Sequence, residues 1–343
     1  MKSRFLVGLL IGLLLACGQA ENKVEQPTWE IFKTGTSASL RGLSVVDDQV
    51  VWASGSKGTW LRSIDGGKTW QQGIIAGMDS VDFRDIEAFS DQVAIAMSAG
   101  QPAVIYKTTD GGQTWDLKFQ ETDSTAFFDG LDFWDVEKGL LMGDPVGGQW
   151  YILKTTDAGE TWTRLANAPV AMEGEAAFAA SGTSIVTHEM DKAYIGTGGA
   201  VSRLLFTEDG GESWKAMNSP IKQGLASQGI FALAVDSKAI YAVGGDYAAP
   251  EDTIQNAVTT FDQGLQWRIT VNYPPKGYRS GLALREDPAL WVCVGTTGSD
   301  YSYDGLAWIP FSEEGFHTVK RAKGGSSFWA SGNNGKVARL LTP

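Results

Sequence analysis

Thr108-Thr109-Asp110-Gly111-Gly112-Gln113-Thr114-Trp115 is a short stretch that returns along the whole chain. Close copies stand at Ser63–Trp70, Thr155–Trp162 and Thr207–Trp214. A worn copy covers Thr260–Trp267, and a copy one residue shorter covers Ser302–Trp308. Recurrence at a fixed period is the mark of a repeat architecture, and it takes precedence over local propensity. The chemistry of the stretch is local. An Asp carboxylate accepts backbone N–H groups within a tight turn, and Gly supplies the positive φ that such a turn needs. The Trp then falls on the next strand, where it can pack between neighbouring sheets. Asp65, Asp110, Asp157, Asp209, Asp262 and Asp304 are therefore expected to be structural and not catalytic.

Each copy follows a β-like run, such as Thr59–Arg62, Ala103–Lys107, Tyr151–Lys154 or Arg203–Phe206. Two further runs precede each of those, for example Leu40–Val46 and Val50–Ser54, or Arg84–Phe89 and Val93–Ser98. Four short strands per repeat make a propeller blade. Trp70, Trp115, Trp162, Trp214, Trp267 and Trp308 mark six blades, and Trp29 lies one period upstream without a turn motif before it. Thr318–Ala322, Ser327–Ser331 and Lys336–Leu341 give three strands at the far end, where the sequence stops. The strand around Trp29 would complete that last sheet and remove two exposed edges. The expected fold is all-β: a seven-bladed β-propeller of four-stranded blades over 29–343, its last blade closed by the N-terminal strand.

The rest of the composition narrows the function. Forty acidic residues against 28 basic ones give a net charge of −12, which argues against nucleic acid as a partner. The two cysteines, Cys17 and Cys293, form no disulfide framework, and Cys293 reads as a small buried apolar residue within Leu290–Val294. His188 and His317 are far apart in sequence, so no metal site is indicated. His188 is expected on an exposed insertion, Glu173–Lys192. Gly196-Thr197-Gly198-Gly199 has no βαβ context, so no dinucleotide and no other cofactor is expected.

At the start of the chain, Lys2 and Arg4 precede the apolar run Phe5–Leu15 and the tetrad Leu14-Leu15-Ala16-Cys17. A run of this length is a signal-peptide core and too short for a membrane span. The tetrad resembles the bacterial lipobox. That resemblance implies a signal peptide at 1–16, a lipid on Cys17, and a flexible tether over 17–28. Gln19 stands where an Asp would retain the protein at the inner membrane, so the expected location is the outer membrane, facing the periplasm, as a monomer.

The recurring stretch itself resembles the Asp box, or BNR repeat. Asp boxes on a seven-bladed ring resemble the Ycf48-like family, relatives of a photosystem II stability and assembly factor. The resemblance covers about 29–343 and implies a binding or assembly role with a protein or a small anionic ligand as partner. A subgroup of bacterial propellers loosely labelled oxidoreductase shares Val243-Gly244-Gly245-Asp246-Tyr247, Gly277-Tyr278-Arg279-Ser280 and Gly298-Ser299-Asp300-Tyr301-Ser302. Fold alone does not transmit function.

In a propeller the innermost strand lines the central channel, and the Asp boxes lie on the opposite face from the start of that strand. Aligned blades place Arg41, Arg84, Asp129, Glu175, Gln228, Arg279 and His317 at those starts. Asp85, Asp144, Asp246 and Tyr278 are expected nearby. Such a ring is either a concave site suited to carboxylate or phosphate recognition, or a set of groups that neutralise one another. Sialidase-type glycoside hydrolases also carry Asp boxes. That resemblance would make Arg41, Arg84 and Arg279 an arginine triad, Asp85 the acid, and Tyr278 with Glu175 the nucleophile pair. It departs in two respects: Arg84 is followed by Asp85 and Ile86 where the family has Ile-Pro, and sialidases have six blades.

Overall fold

A computed structural model of the chain describes residues 26–342. The signal peptide expected at 1–16, Cys17 and most of the 17–28 tether lie outside the described residues.

Seven antiparallel sheets follow one another around a ring. In blade 1, Leu40–Val45 is the inner strand, followed outward by Val51–Gly55, Thr59–Ser63 and Gln71–Ile74. The inner strands of the next blades are Asp82–Ala88, Phe128–Phe133, Ile185–His188, Leu225–Val235, Gly281–Arg285 and Thr318–Arg321. Thr28–Phe32 pairs antiparallel with Val337–Leu341, so the N-terminal strand is the outer strand of blade 7. The ring closes where Leu40 N–H meets the Gly332 carbonyl. Trp329 from blade 7 shares a core there with Leu43 and Val51 from blade 1.

The second strands, Val51–Gly55 and Leu290–Gly295, are continuous buried runs because both their faces lie between blades. Outer strands such as Gln71–Ile74 and Asp116–Gln120 are largely exposed. Each Asp-box Trp stands one residue ahead of its outer strand and packs against the preceding blade. Trp115 meets Trp52 and Trp60 of blade 1, and Trp70 meets Trp329 of blade 7. Cys293 is buried in the core between blades 5 and 6.

The box turns form as their chemistry dictates. Asp110 Oδ1 accepts from Thr114 N–H at 2.9 Å, its Oδ2 accepts from Thr114 Oγ1 at 2.6 Å, and Gly111 and Gly112 have φ of 74° and 90°. The same pair of hydrogen bonds recurs at Asp65, Asp157 and Asp209, and these bonds hold the carboxyls below their ordinary range. Asp262 and Asp304 in the worn boxes keep the backbone N–H bonds, from Gln266 and from Leu306 and Ala307.

Blade 4 departs from the expected alignment. Its inner strand begins at Ile185, and Glu175 lies in a two-residue strand that pairs with Gly198–Gly199. Those two short strands extend the blade 5 sheet to six. His188 ends the inner strand of blade 4, paired with Lys192, instead of sitting on an exposed insertion. The extra residues come before the strand and turn inward. Thr318 Oγ1 donates to the Ser181 carbonyl at 2.9 Å, Lys320 Nζ to Gly182 at 3.3 Å, and Arg41 Nη1 to Ala180 at 3.2 Å. Segment 177–182 is thus gripped by several blades and plugs the channel. Gly182, at φ 66°, lies so close to the Asp85 carboxylate that a Cβ there would overlap it.

Candidate functional site

Four inner strands carry a register shift at the same place, between Leu40 and Gly42, Phe83 and Asp85, Phe128 and Gly130, and Ile230 and Ala232. The residues skipped are Arg41, Arg84, Asp129 and Phe231. A β-bulge leaves one residue outside the ladder and re-aims its side chain. All four line one cavity of about 530 Å³ at the mouth of the channel, together with Asp144, Tyr278 and His317. The plug supplies its floor through Ala177–Ala180, where Phe178 stacks on Phe231 at 3.8 Å and Tyr278 meets Phe231 edge-on.

Of the residues expected at the mouth, Arg41, Arg84, Asp129, Asp144, Tyr278 and His317 are brought together here. The other five are elsewhere, for reasons that differ. Arg279 is one position out of register. Its neighbour Ser280 lines the cavity, and a slip of one residue turns a strand side chain to the other face. Arg279 is 1% exposed. Its Nε donates to Asp300 Oδ2 at 2.6 Å, and its other nitrogens donate to the Tyr278 and Lys276 carbonyls. Gln228 precedes the bulge of its strand and donates to Asp246 Oδ2 at 2.9 Å, so the two satisfy each other. Glu175 forms a buried ion pair with Arg203 at 2.5 Å and accepts from Thr197. Asp85 lies beneath the mouth, where it accepts from Ile86 and Leu131 N–H and ties blade 2 to blade 3. Burial pushes its carboxyl up to about 7, against the opposing pull of Lys320. With Arg279 and Glu175 engaged elsewhere, the sialidase-type triad and nucleophile pair do not assemble.

The sequence reading overlooked Phe231, Phe178 and Tyr247, all on the cavity wall. A signal for the first was available. Arg41-Gly42-Leu43, Arg84-Asp85-Ile86, Asp129-Gly130-Leu131 and Phe231-Ala232-Leu233 share a bulge residue, a short residue and a branched aliphatic one. Alignment on that pattern gives Phe231 in blade 5 and Ser280 in blade 6.

The charges in the cavity are unevenly matched. Arg84 Nε donates to Asp82 Oδ2 at 2.8 Å, with both side chains about a third exposed. Arg41 has no carboxylate partner among the described residues, and its hydrogen bond is to the Ala180 carbonyl. Burial, and then the nearby Arg84, lower its pKa. On another wall, Asp129 is 0% exposed and neither carboxylate oxygen forms a hydrogen bond of ordinary geometry. Burial and then Asp144 push its carboxyl well above the usual range, although Arg84 and the Ala179 and Asp144 N–H groups pull the other way. Asp144 Oδ1 accepts from Ala177 N–H at 2.9 Å, and burial raises its pKa as well.

His317 Nε2 lies 2.9 Å from Asn333 Oδ1 and 3.2 Å from Ser39 Oγ. Burial first, and then Arg41, lower its pKa from 6.5 to about 4. The unfolded chain therefore takes this proton first, and stability is lost as pH falls from 6.5 through about 4. Urea unfolding of wild type and His317→Gln at pH 7 and 4.5 is expected to show a smaller loss in the variant. Equal losses would mean that this imidazole does not contribute.

A family model described as photosynthesis system II assembly factor YCF48 matches residues 21–122. Among solved structures, one described as YCF48 bound to D1 peptide superposes with a TM-score of 0.66. It is 16% identical and covers 92% of this chain and 97% of its own. The chain is an Asp-box propeller that resembles Ycf48 in fold and, over 21–122, in sequence. YCF48 from Cyanidioschyzon merolae, at 17% identity and a TM-score of 0.63, covers 91% of this chain and 98% of its own. The fold is also that of U3-55K, at 11% identity, a TM-score of 0.64, and coverage of 92% and 98%. A comparison with curated proteins finds no match. The sequence likeness covers the first blades of the propeller, and the fold likeness covers nearly all of it.

Proposed function

We propose that this Ycf48-like propeller is a binding and assembly scaffold. In this reading its channel-mouth cavity holds an anionic group of a protein partner between Arg41 and Arg84. The observation that carries the reading is Arg41: a half-buried guanidinium at a cavity wall with no carboxylate to pair with among the described residues. Guanidinium groups are suited to carboxylates and phosphates, and a partly desolvated site strengthens such bonds. A protein partner is favoured because a Ycf48 structure of the same fold is described as bound to a peptide. The aromatic floor of Phe178, Phe231 and Tyr278 adds apolar surface beside the charge, as ligand cavities commonly do.

The lipobox-like Leu14-Leu15-Ala16-Cys17 supports the further proposal that the scaffold is a lipid-anchored monomer of the bacterial envelope, facing the periplasm. Replacing Cys17 by Ser is expected to move the protein from the membrane to the soluble fraction.

Capture from solubilised membranes tests the binding reading. Wild type is expected to retain a partner that Arg41→Ala and the Arg41→Ala/Arg84→Ala pair lose. Each charge-assisted bond is worth roughly 1.5–3 kcal/mol, or about tenfold or more in affinity. A partner held equally by the double variant would refute the site.

A further inference from the structure

The arginines account for half of the cavity's charge. The other half is acidic and unexplained. Asp129 is fully buried and lines the cavity, and among the described residues neither of its oxygens has a hydrogen bond of ordinary geometry, the Ala179 and Asp144 N–H groups being the donors that act on it. Buried polar groups are almost always satisfied, and an exception calls for a cause. Asp144 stands beside it from the next strand of the same blade, one oxygen bound to Ala177 N–H and Oδ2 making no hydrogen bond. The neighbouring arginines do not resolve this. Arg84 is close enough to pull on the Asp129 carboxyl, yet it bonds to Asp82, and Arg41 bonds to the plug.

A purely anionic ligand would bring more negative charge towards these two carboxylates. A ligand that also carries a cation would satisfy them. Resting on the anion-binding reading above, we propose that the cavity holds both charges of one residue. A basic residue at the free end of a partner chain would place its α-carboxylate on Arg41 and Arg84 and its side-chain cation on Asp129 and Asp144. The volume of about 530 Å³ suits one or two residues. The stem of a Lys or Arg side chain is apolar and fits the Phe178–Phe231 floor, and a guanidinium gains further from aromatic faces. Burial and then Asp144 raise the Asp129 carboxyl well above its ordinary range, and a cation beside it would draw it back down.

N-acetyl-arginine, N-acetyl-citrulline and N-acetyl-arginine amide separate the two charges, because citrulline lacks the cation and the amide lacks the anion. Calorimetric titration of the whole protein at neutral pH is expected to show N-acetyl-arginine binding about tenfold or more tighter than N-acetyl-citrulline. Asp129→Asn and Asp144→Asn should each abolish most of that advantage. If Asp129→Asn fails to fold, Asp144→Asn decides.

Equal binding of arginine and citrulline probes, no binding of any probe at millimolar concentration, or an advantage that survives both Asn variants would overturn the proposal. If the two probes bind equally and both are lost on Arg41→Ala, this inference fails while the anion-binding reading stands. If the amide binds as well as the acid and neither responds to Arg41→Ala, that reading fails too. Free arginine binding tighter than N-acetyl-arginine would replace the chain end by a free amino acid and overturn that part of the assignment.

Discussion

Arg279→Met is expected to lower folding stability by about 3–5 kcal/mol, the usual cost of removing one partner of a buried ion pair. Its partner Asp300 has a fully buried side chain and would be left with a charge that Arg279 Nε and Nη2 now neutralise. The same guanidinium also holds the Tyr278 and Lys276 carbonyls and so shapes the loop that carries Tyr278 to the cavity wall. Urea unfolding measures the loss. The double variant Arg279→Met/Asp300→Leu should recover most of it, because replacing a whole buried pair by apolar groups is often neutral. A single-variant loss below about 1 kcal/mol, the scale of an exposed pair, would contradict the buried geometry. A ligand-contacting arginine would behave in the opposite way, losing binding and leaving the fold intact.

Trp329→Ala should be comparably damaging, at about 3–5 kcal/mol for a buried aromatic truncated to Ala. Trp329 is wholly buried in the second strand of blade 7. It stacks on Phe32 of the N-terminal strand at 5.3 Å and meets Trp70 of blade 1 at 6.5 Å. It therefore binds three parts of the seam at once: the chain start, the last blade and the first blade. The vacated space cannot collapse without pulling the closing strand inward, which places the cost at the upper end. Besides a lower urea midpoint, faster proteolysis near residues 26–34 is expected, since that strand loses its packing. A Trp329→Phe variant should retain much of the stability. Unchanged protease resistance in Trp329→Ala would mean that backbone pairing with Val337–Leu341 alone keeps the ring shut.

The Asp boxes were legible because all their parts lie within eight residues. A carboxylate, a Gly at positive φ and a Trp placed at fixed offsets act through short-range geometry that no distant contact overrides. Arg41, Arg84 and Asp129 were legible for a related reason, since they sit at equivalent places in well-kept repeats. The assignment failed where the repeats are worn. In blade 4 the residues before Ile185 do not extend the blade but turn into the channel, which displaced Glu175 from the mouth. In blade 6 the alignment slipped by one, and a strand tolerates no such error because its side chains alternate in direction.

Taken alone, the amino-acid sequence determined the number of blades, their four-strand plan, the closing strand and the structural role of the box aspartates. These follow from periodic, local preferences repeated around a ring. Only the tertiary structure decided which charges face the cavity and which satisfy one another. Arg279 with Asp300, Glu175 with Arg203 and Gln228 with Asp246 are paired, while among the described residues Arg41 and Asp129 are left without a charged partner. The reason is physical: pairing depends on angstrom-scale distances set by bulges and by a plug from another blade, and no spacing along the chain encodes them.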